Sequence, residues 1–199
     1  VIFALVAMVN GITMATTILV SQYFGAQQHK ELVKTITNSI ILLTILGVLI
    51  SIIGVVFRGP LLKLINTPDE ILDMAMTYMG IFMAGLVGMF LYNVAGAVLR
   101  GLGDSRTPLR FLAYATVLNI ILDPVFIFGL GPIPAMGVGG AALATIIAQG
   151  ISAVLALRYL YLQSGLLHYH PGLLRLDWKL TRLTFRIGLP AGIQQVLVS

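Results

Sequence analysis

The sequence predicts an all-α integral membrane protein, a polytopic helical bundle, on three observations. Of its 199 residues, 58% are hydrophobic and 10% charged; mean hydropathy is +1.00; and six apolar runs recur with short polar connections between them. A hydrocarbon core of about 30 Å takes roughly 20 apolar helical residues to cross, so each run is long enough for one crossing. The net charge of +5 does not make a nucleic-acid binder, because the basic residues sit between apolar runs rather than on one dense face. The absence of cysteine excludes disulfides and Cys-based zinc sites, and His29, His168 and His170 fall in polar segments, not in a ligand array.

The first run spans 1–24, too long for a signal peptide and followed by no cleavage site, and the polar turn GAQQHKELVK follows it at 25–34. The second run spans 35–57. In the connection at 58–73, Thr67 is expected to cap a helix with Pro68 at its first position and Asp69 and Glu70 in its first turn. That helix leads into the third run, 74–99. The connection RGLGDSRTPLR at 100–110 repeats the cap-then-proline signal in Thr107 and Pro108, ahead of the fourth run at 109–128. The Gly/Pro turn at 129–136 precedes the fifth run, 137–161. Within the polar stretch 163–182, LLRLDWKLTRL alternates apolar and basic residues as a helix lying on the membrane surface would. The sixth run starts near Leu183 and contains Pro190. Because the sequence opens and closes inside apolar runs, it is expected to be a fragment.

If the six runs alternate in direction, Lys30, Lys34, Arg100, Arg106, Arg110, Arg158, Arg175, Lys179, Arg182 and Arg186 share one side, leaving Arg58 and Lys63 on the other. The excess marks the cytoplasmic face. The first run then enters from outside, and a cytoplasmic N-terminus would need one more helix before Val1.

Six of the seven acidic residues lie in connections; Asp123 alone lies inside an apolar helix. A carboxylate at that depth costs about 2.5–3.5 kcal/mol on insertion scales, so it points to a water-filled cavity where it holds a proton, an ion or a cationic substrate. Asn119 stands one turn earlier on the same face. Pro124 cannot donate to the Ile120 carbonyl, which provides a further oxygen and a bending point. Na⁺ held by Asp123 and Asn119 is one expectation for the site; a carboxylate serving only as interhelical glue is the alternative. Polar stripes run along the first helix (Asn10, Thr13, Thr17, Ser21) and the fifth (Thr145, Gln149, Ser152). For Asn10, Thr13, Thr145 and Gln149, cavity lining and helix packing both remain open, although hydroxyls can satisfy themselves on their own helix. Met74, Met76, Met79, Met83 and Met89 offer a soft wall for apolar ligands, or ordinary packing.

Two enzyme-like motifs are weak. GVGGAALAT at 137–145 has no preceding strand, as a dinucleotide fingerprint needs, and its glycines suit close helix packing. GLGD at 101–104 matches the GxGD of intramembrane aspartyl proteases, but Asp104 lies in an Arg-rich loop, 19 residues from Asp123, too far for a shared proton. No enzyme is expected.

Taken together and in order, VSQYFGAQ (20–27), RGLGDSRTP (100–108), NIILDPVFIFG (119–129), GVGGAALAT (137–145) and RIGLPAGIQQ (186–195) resemble the multidrug and toxic compound extrusion (MATE) transporters. The resemblance covers nearly the whole chain. It implies a twelve-helix transporter of two six-helix lobes around a cleft opening alternately to either side, of which this chain holds helices two to six and the start of helix seven. The implied parts are an N-lobe bundle at 1–163, a cytoplasmic inter-lobe linker with an amphipathic helix at 164–182, and the beginning of the C-lobe at 183–199. It further implies a cation site in which Asn119 and Asp123 match the helix-five pair and Thr145 the helix-six threonine, completed by an aspartate on helix one; on helix seven only Gln194 and Gln195 are visible. The implied activity is secondary antiport, exporting cationic or amphipathic compounds in exchange for H⁺ or Na⁺, with no cofactor, by a monomer in the inner membrane of a bacterium. A lipid-linked saccharide flippase of the same superfamily, expected to line its cleft with cationic residues, and a non-transporting scaffold are the alternatives.

Overall fold

The computed structural model describes residues 2–163 and 176–198. Among these residues the chain forms α1 (Ile2–Gly25), α2 (His29–Val56), α3 (Arg58–Leu64), α4 (Asp69–Ala84), α5 (Leu86–Gly101), α6 (Arg106–Phe128), α7 (Val138–Gln163) and α8 (Trp178–Val198). Strands are absent from them, apart from an isolated bridge between Leu130 and Ile133.

Three of the described helices, α2, α6 and α7, are long and apolar enough to cross a membrane, and α4 with α5 makes a fourth, bent span. The third run is therefore not one straight helix but two, meeting at 43°. Gly85 sits at the break, with the side chain of Ile146 from α7 where its Cβ would be, so α7 approaches the bend closely.

Large apolar side chains cover the outside. On α6, Leu109, Tyr114, Val117 and Ile120 are exposed, as are Ile45, Leu49 and Ile52 on α2, which is the pattern of a bundle solvated by lipid. The interior is built around α5, which packs on α1, α2 and α7. Val20, Leu32, Ile36, Val98, Leu99 and Leu160 fill it at the basic end, and Ile12, Leu43, Phe90 and Val94 fill it further along. Small residues allow the closest crossings. Gly101 lies against Val20, and Gly11 on α1 meets Gly188 on α8 backbone to backbone: a Cβ on Gly188 would stand 2.7 Å from the Gly11 carbonyl oxygen.

Helix starts differ from the sequence expectation. The structure records no side-chain cap from Thr67, and α4 begins at Asp69 with Pro68 just ahead of it. Thr107 lies inside α6; Asp104 provides the cap instead, its Oδ1 accepting the N–H groups of Arg106 and Thr107 at 3.1 and 3.0 Å. The connection at 58–73 contains the seven-residue α3. The amphipathic stretch also changes its place. From Trp178 onward it forms the first turns of α8, continuous with the sixth run, because Asp177 Oδ1 accepts the Lys179 N–H at 2.8 Å and starts the helix five residues before Leu183. The rest of that stretch up to Arg175, with His168 and His170, lies outside the described residues.

Candidate functional site

α6 carries Asn119 and Asp123 one turn apart, and Asn119 Nδ2 donates to Asp123 Oδ1 at 3.3 Å. Both side chains are partly buried. Asp123 stands about 25 Å along α6 from its basic end, 17 residues at 1.5 Å each, and is the one acidic residue on the apolar stretch of that helix. Pro124 follows inside α6, which continues through it to Phe128. Its ring leaves the Ile120 carbonyl without an i+4 donor, one helical turn from the carboxylate.

α7 returns antiparallel to α6, and two contacts set the register. Ser152 Oγ donates to the Phe111 carbonyl at 3.0 Å near the basic end. At the other end Gly140 lies on the Phe126 carbonyl, where a Cβ would clash with backbone. Interpolating between these contacts puts Thr145 between the levels of Asn119 and Ile120, and Gln149 level with Ala115. Thr145, Gln149 and Ser152 share one face, being three to seven residues apart, so the stripe runs along the side of α7 that meets α6. Thr145 Oγ1 bonds back to the Ala141 carbonyl at 3.0 Å, whereas Gln149 Oε1 is buried with no hydrogen-bond partner.

The connecting turn fixes this register. Gly129, Gly131 and Gly137 have φ of +77°, +62° and +53°, and the N–H groups of Met136 and Gly137 donate to the Phe126 and Ile127 carbonyls at 2.9 and 3.1 Å.

α1 is arranged differently. It packs on α2, α5 and α8, while α6 packs on α5 and α7, so Asn10 and Thr13 are not placed beside Asp123 by direct helix packing. Thr13 is buried and donates to the Asn10 carbonyl at 2.8 Å. Thr17 donates to Ala97 of α5 at 3.0 Å, an interhelical bond. Among the described residues, no three His, Asp or Glu side chains converge as a metal cluster. The oxygen set at Asp123 is one carboxylate with neutral amide and carbonyl neighbours, which suits a proton or a monovalent cation held as cargo.

Asp104 of the GLGD segment has a structural role. Besides capping α6 it accepts a hydrogen bond from the Tyr159 hydroxyl of α7 at 3.3 Å. The Thr107 side chain and amide, with Tyr159 and Arg106, hold its carboxyl below the usual range.

Sequence reasoning passed over Asn38. It lies in α2 and is 1% exposed, yet it reaches the first turn of α8, accepting the Asp177 N–H at 2.8 Å. The signal was the cluster Thr35, Thr37, Asn38 and Ser39 interrupting an apolar helix.

Comparison with known proteins places these features in a context. The MatE family model matches residues 1–125, from α1 through Asp123. Over its full length the chain is 34% identical to the probable multidrug resistance protein YpnP of Bacillus subtilis, covering 43% of that protein. It is 30% identical to a probable multidrug resistance protein NorM of Thermotoga maritima, over 94% of this chain and 40% of that one. A FAD transporter of Shewanella oneidensis is 36% identical over 57% of this chain and 25% of its own length. The chain thus spans less than half the length of the curated relatives it matches. Solved structures described as the inward-facing and outward-facing conformations of a multidrug resistance MATE family transporter of the MOP superfamily are each 26% identical. Each covers 98% of this chain and 43% of its own, with TM-scores of 0.86 and 0.85.

Proposed function

Because this chain belongs to the MatE family, we propose that it is the first half of a secondary antiporter that exports cationic or amphipathic compounds in exchange for H⁺ or Na⁺. In this reading residues 1–163 form the first lobe, 164–182 the cytoplasmic link, and 183–199 the start of the second lobe; the whole works as a monomer in a bacterial inner membrane. The observation that carries the proposal is the Asn119–Asp123 pair inside a membrane-length helix. An intramembrane carboxylate is costly to keep and normally serves ion or proton transfer.

The mechanism follows from charge. With Asp123 ionised, its carboxylate attracts a cation, and the Asn119 amide and free Ile120 carbonyl stand one turn away to supply neutral oxygens. Protonation of Asp123 or binding of Na⁺ cancels the charge, and a cationic substrate loses its counter-ion and leaves. Thr145, on α7 between the levels of Asn119 and Ile120, and the unpartnered Gln149 oxygen extend the polar path. A membrane potential adds about 2.3 kcal/mol per charge per 100 mV to whichever ion gradient is used. The cationic substrate class is favoured over an anionic one because the charged group in the apolar stretch of α6, beyond Arg106 and Arg110, is a carboxylate.

The test is ethidium efflux from proteoliposomes holding the full-length parent, wild type beside Asp123→Asn, under a pH gradient and separately under a sodium gradient. The expected result is efflux that follows one gradient and falls to the protein-free leak in the variant. Equal efflux by both proteins would return Asp123 to a packing role.

A further inference from the structure

Asn38 is an amide buried at 1% exposure in α2, where an unpaired polar group is strongly disfavoured, and α8 supplies its partners. Its Oδ1 accepts the Asp177 N–H at 2.8 Å and the Thr181 hydroxyl at 3.3 Å, and its Nδ2 donates to Thr181 Oγ1 at 3.2 Å. The Thr181 hydroxyl also reaches the Asp177 carbonyl at 3.0 Å, while the Asp177 carboxylate caps the Lys179 and Leu180 N–H groups at 2.8 and 3.3 Å. Leu180, Thr181 and Thr184 bury this turn. Beside it Thr16 Oγ1 donates to Ser39 Oγ at 3.1 Å, so α1, α2 and α8 meet through adjacent polar groups near the basic end.

We infer that Asn38 is a positioning residue that fastens the first turn of α8 to α2, and that this fastening persists through both access states. The inference rests on the antiporter reading, since two access states belong to a transporter. Two observations support persistence. Over 98% of its length the chain overlays an inward-facing and an outward-facing transporter with TM-scores of 0.86 and 0.85, as a bundle without a large internal rearrangement would. Opening the junction would also leave the buried Asn38 amide without its α8 partners, while Thr181 would keep only its bond to the Asp177 carbonyl. The cytoplasmic end of α8 therefore travels with α1 and α2, and the cleft opens along other helix pairs.

The chain has no cysteine of its own, which permits a reversible test. Asn38→Cys and Thr181→Cys are combined in the full-length parent, any cysteine elsewhere in it being replaced, and ethidium efflux is measured reduced and oxidised. Reduced, the double variant lacks the polar fastening, and efflux is expected to fall about tenfold, as for loss of a buried polar partnership. Oxidised, the disulfide replaces the fastening, and efflux returns to within about twofold of wild type, a recovery that a permanent tether allows. Efflux blocked by the disulfide and released by reductant would show a gate that must open and would overturn the inference. Wild-type efflux in the reduced form would overturn it as well. Thr181→Val, which keeps the Asn38 bond to Asp177, guards against misfolding of the double variant and is expected to lose efflux only partly; wild-type efflux from it would remove Thr181 from the junction and count against the inference. If the wild type itself moves no ethidium, the antiporter reading fails, and the fastening is still scored by disulfide formation.

Discussion

At the scale of single residues, two carboxylates nineteen positions apart have different partners. Asp123 bonds along its own helix to Asn119, leaving its second oxygen with no protein partner among the described residues. Asp104 is consumed by backbone amides and Tyr159, so it holds structure. Its pKa is lowered in the fold, so its contribution is full above the unfolded value of about 4 and is lost as pH falls through the lower folded value. Thermal stability of wild type should therefore drop over that acid window, while Asp104→Asn should start lower at neutral pH and show a shallower acid loss; parallel acid curves for the two would contradict this role. The sequence made Asp123 legible because a charge in an apolar run has few explanations. It could not show Asn38, whose partners lie 139 and 143 positions away and depend on how α8 docks. Nor could it separate Thr13 as packing from Thr13 as lining, since either use permits the bond to the Asn10 carbonyl.

At the scale of elements, apolar length located α2, α6, α7 and the bent α4–α5 pair, while the break in that pair depended on tertiary contact. The 43° break at Gly85 left no composition signal beyond the glycine itself, because the Ile146 side chain that occupies it comes from another helix. The α6 start moved for a local reason: Asp104, next to free N–H groups, accepts a stronger, charge-assisted bond than Thr107 three residues on would. The α1–α8 crossing offers a sharp test. At Gly188 an added Cβ would meet the Gly11 oxygen and carbon at 2.7 and 2.8 Å, and backbone cannot step aside as a side chain can. Gly188→Ala should cost about 1–3 kcal/mol in unfolding experiments on the full-length parent. Gly103→Ala meets no neighbour but has φ of +90°, so it should cost about 1 kcal/mol through backbone conformation alone. Equal stability of Gly188→Ala and wild type would show that the two helices do not touch there.

At the scale of the whole molecule, the proposal makes the chain one side of a cleft. It matches under half the length of its relatives, and α6 presents Leu109, Tyr114, Val117 and Ile120 outward. Reconstituted by itself it should give no gradient-driven ethidium efflux, whereas the full-length parent should; gradient-driven efflux from this chain alone would mean that it carries a complete pathway. Its overlays on the inward-facing and outward-facing transporters differ by only 0.01 in TM-score, which is what the proposal expects if the bundle moves as one body. The clamped turn between α6 and α7 bears on how such a bundle tolerates change. With α7 pinned by two amide bonds and three glycines, a residue inserted in the turn would disrupt those bonds, whereas one inserted in α7 ahead of Thr145 would turn the rest of the helix by about 100°, carrying Thr145 away from α6. Seven inserted residues would nearly restore the angle, being close to two full turns. Length variation inside α7 is thus a matter of phase, whereas an epitope tag in the turn would act by breaking the two amide bonds that join α7 to the end of α6.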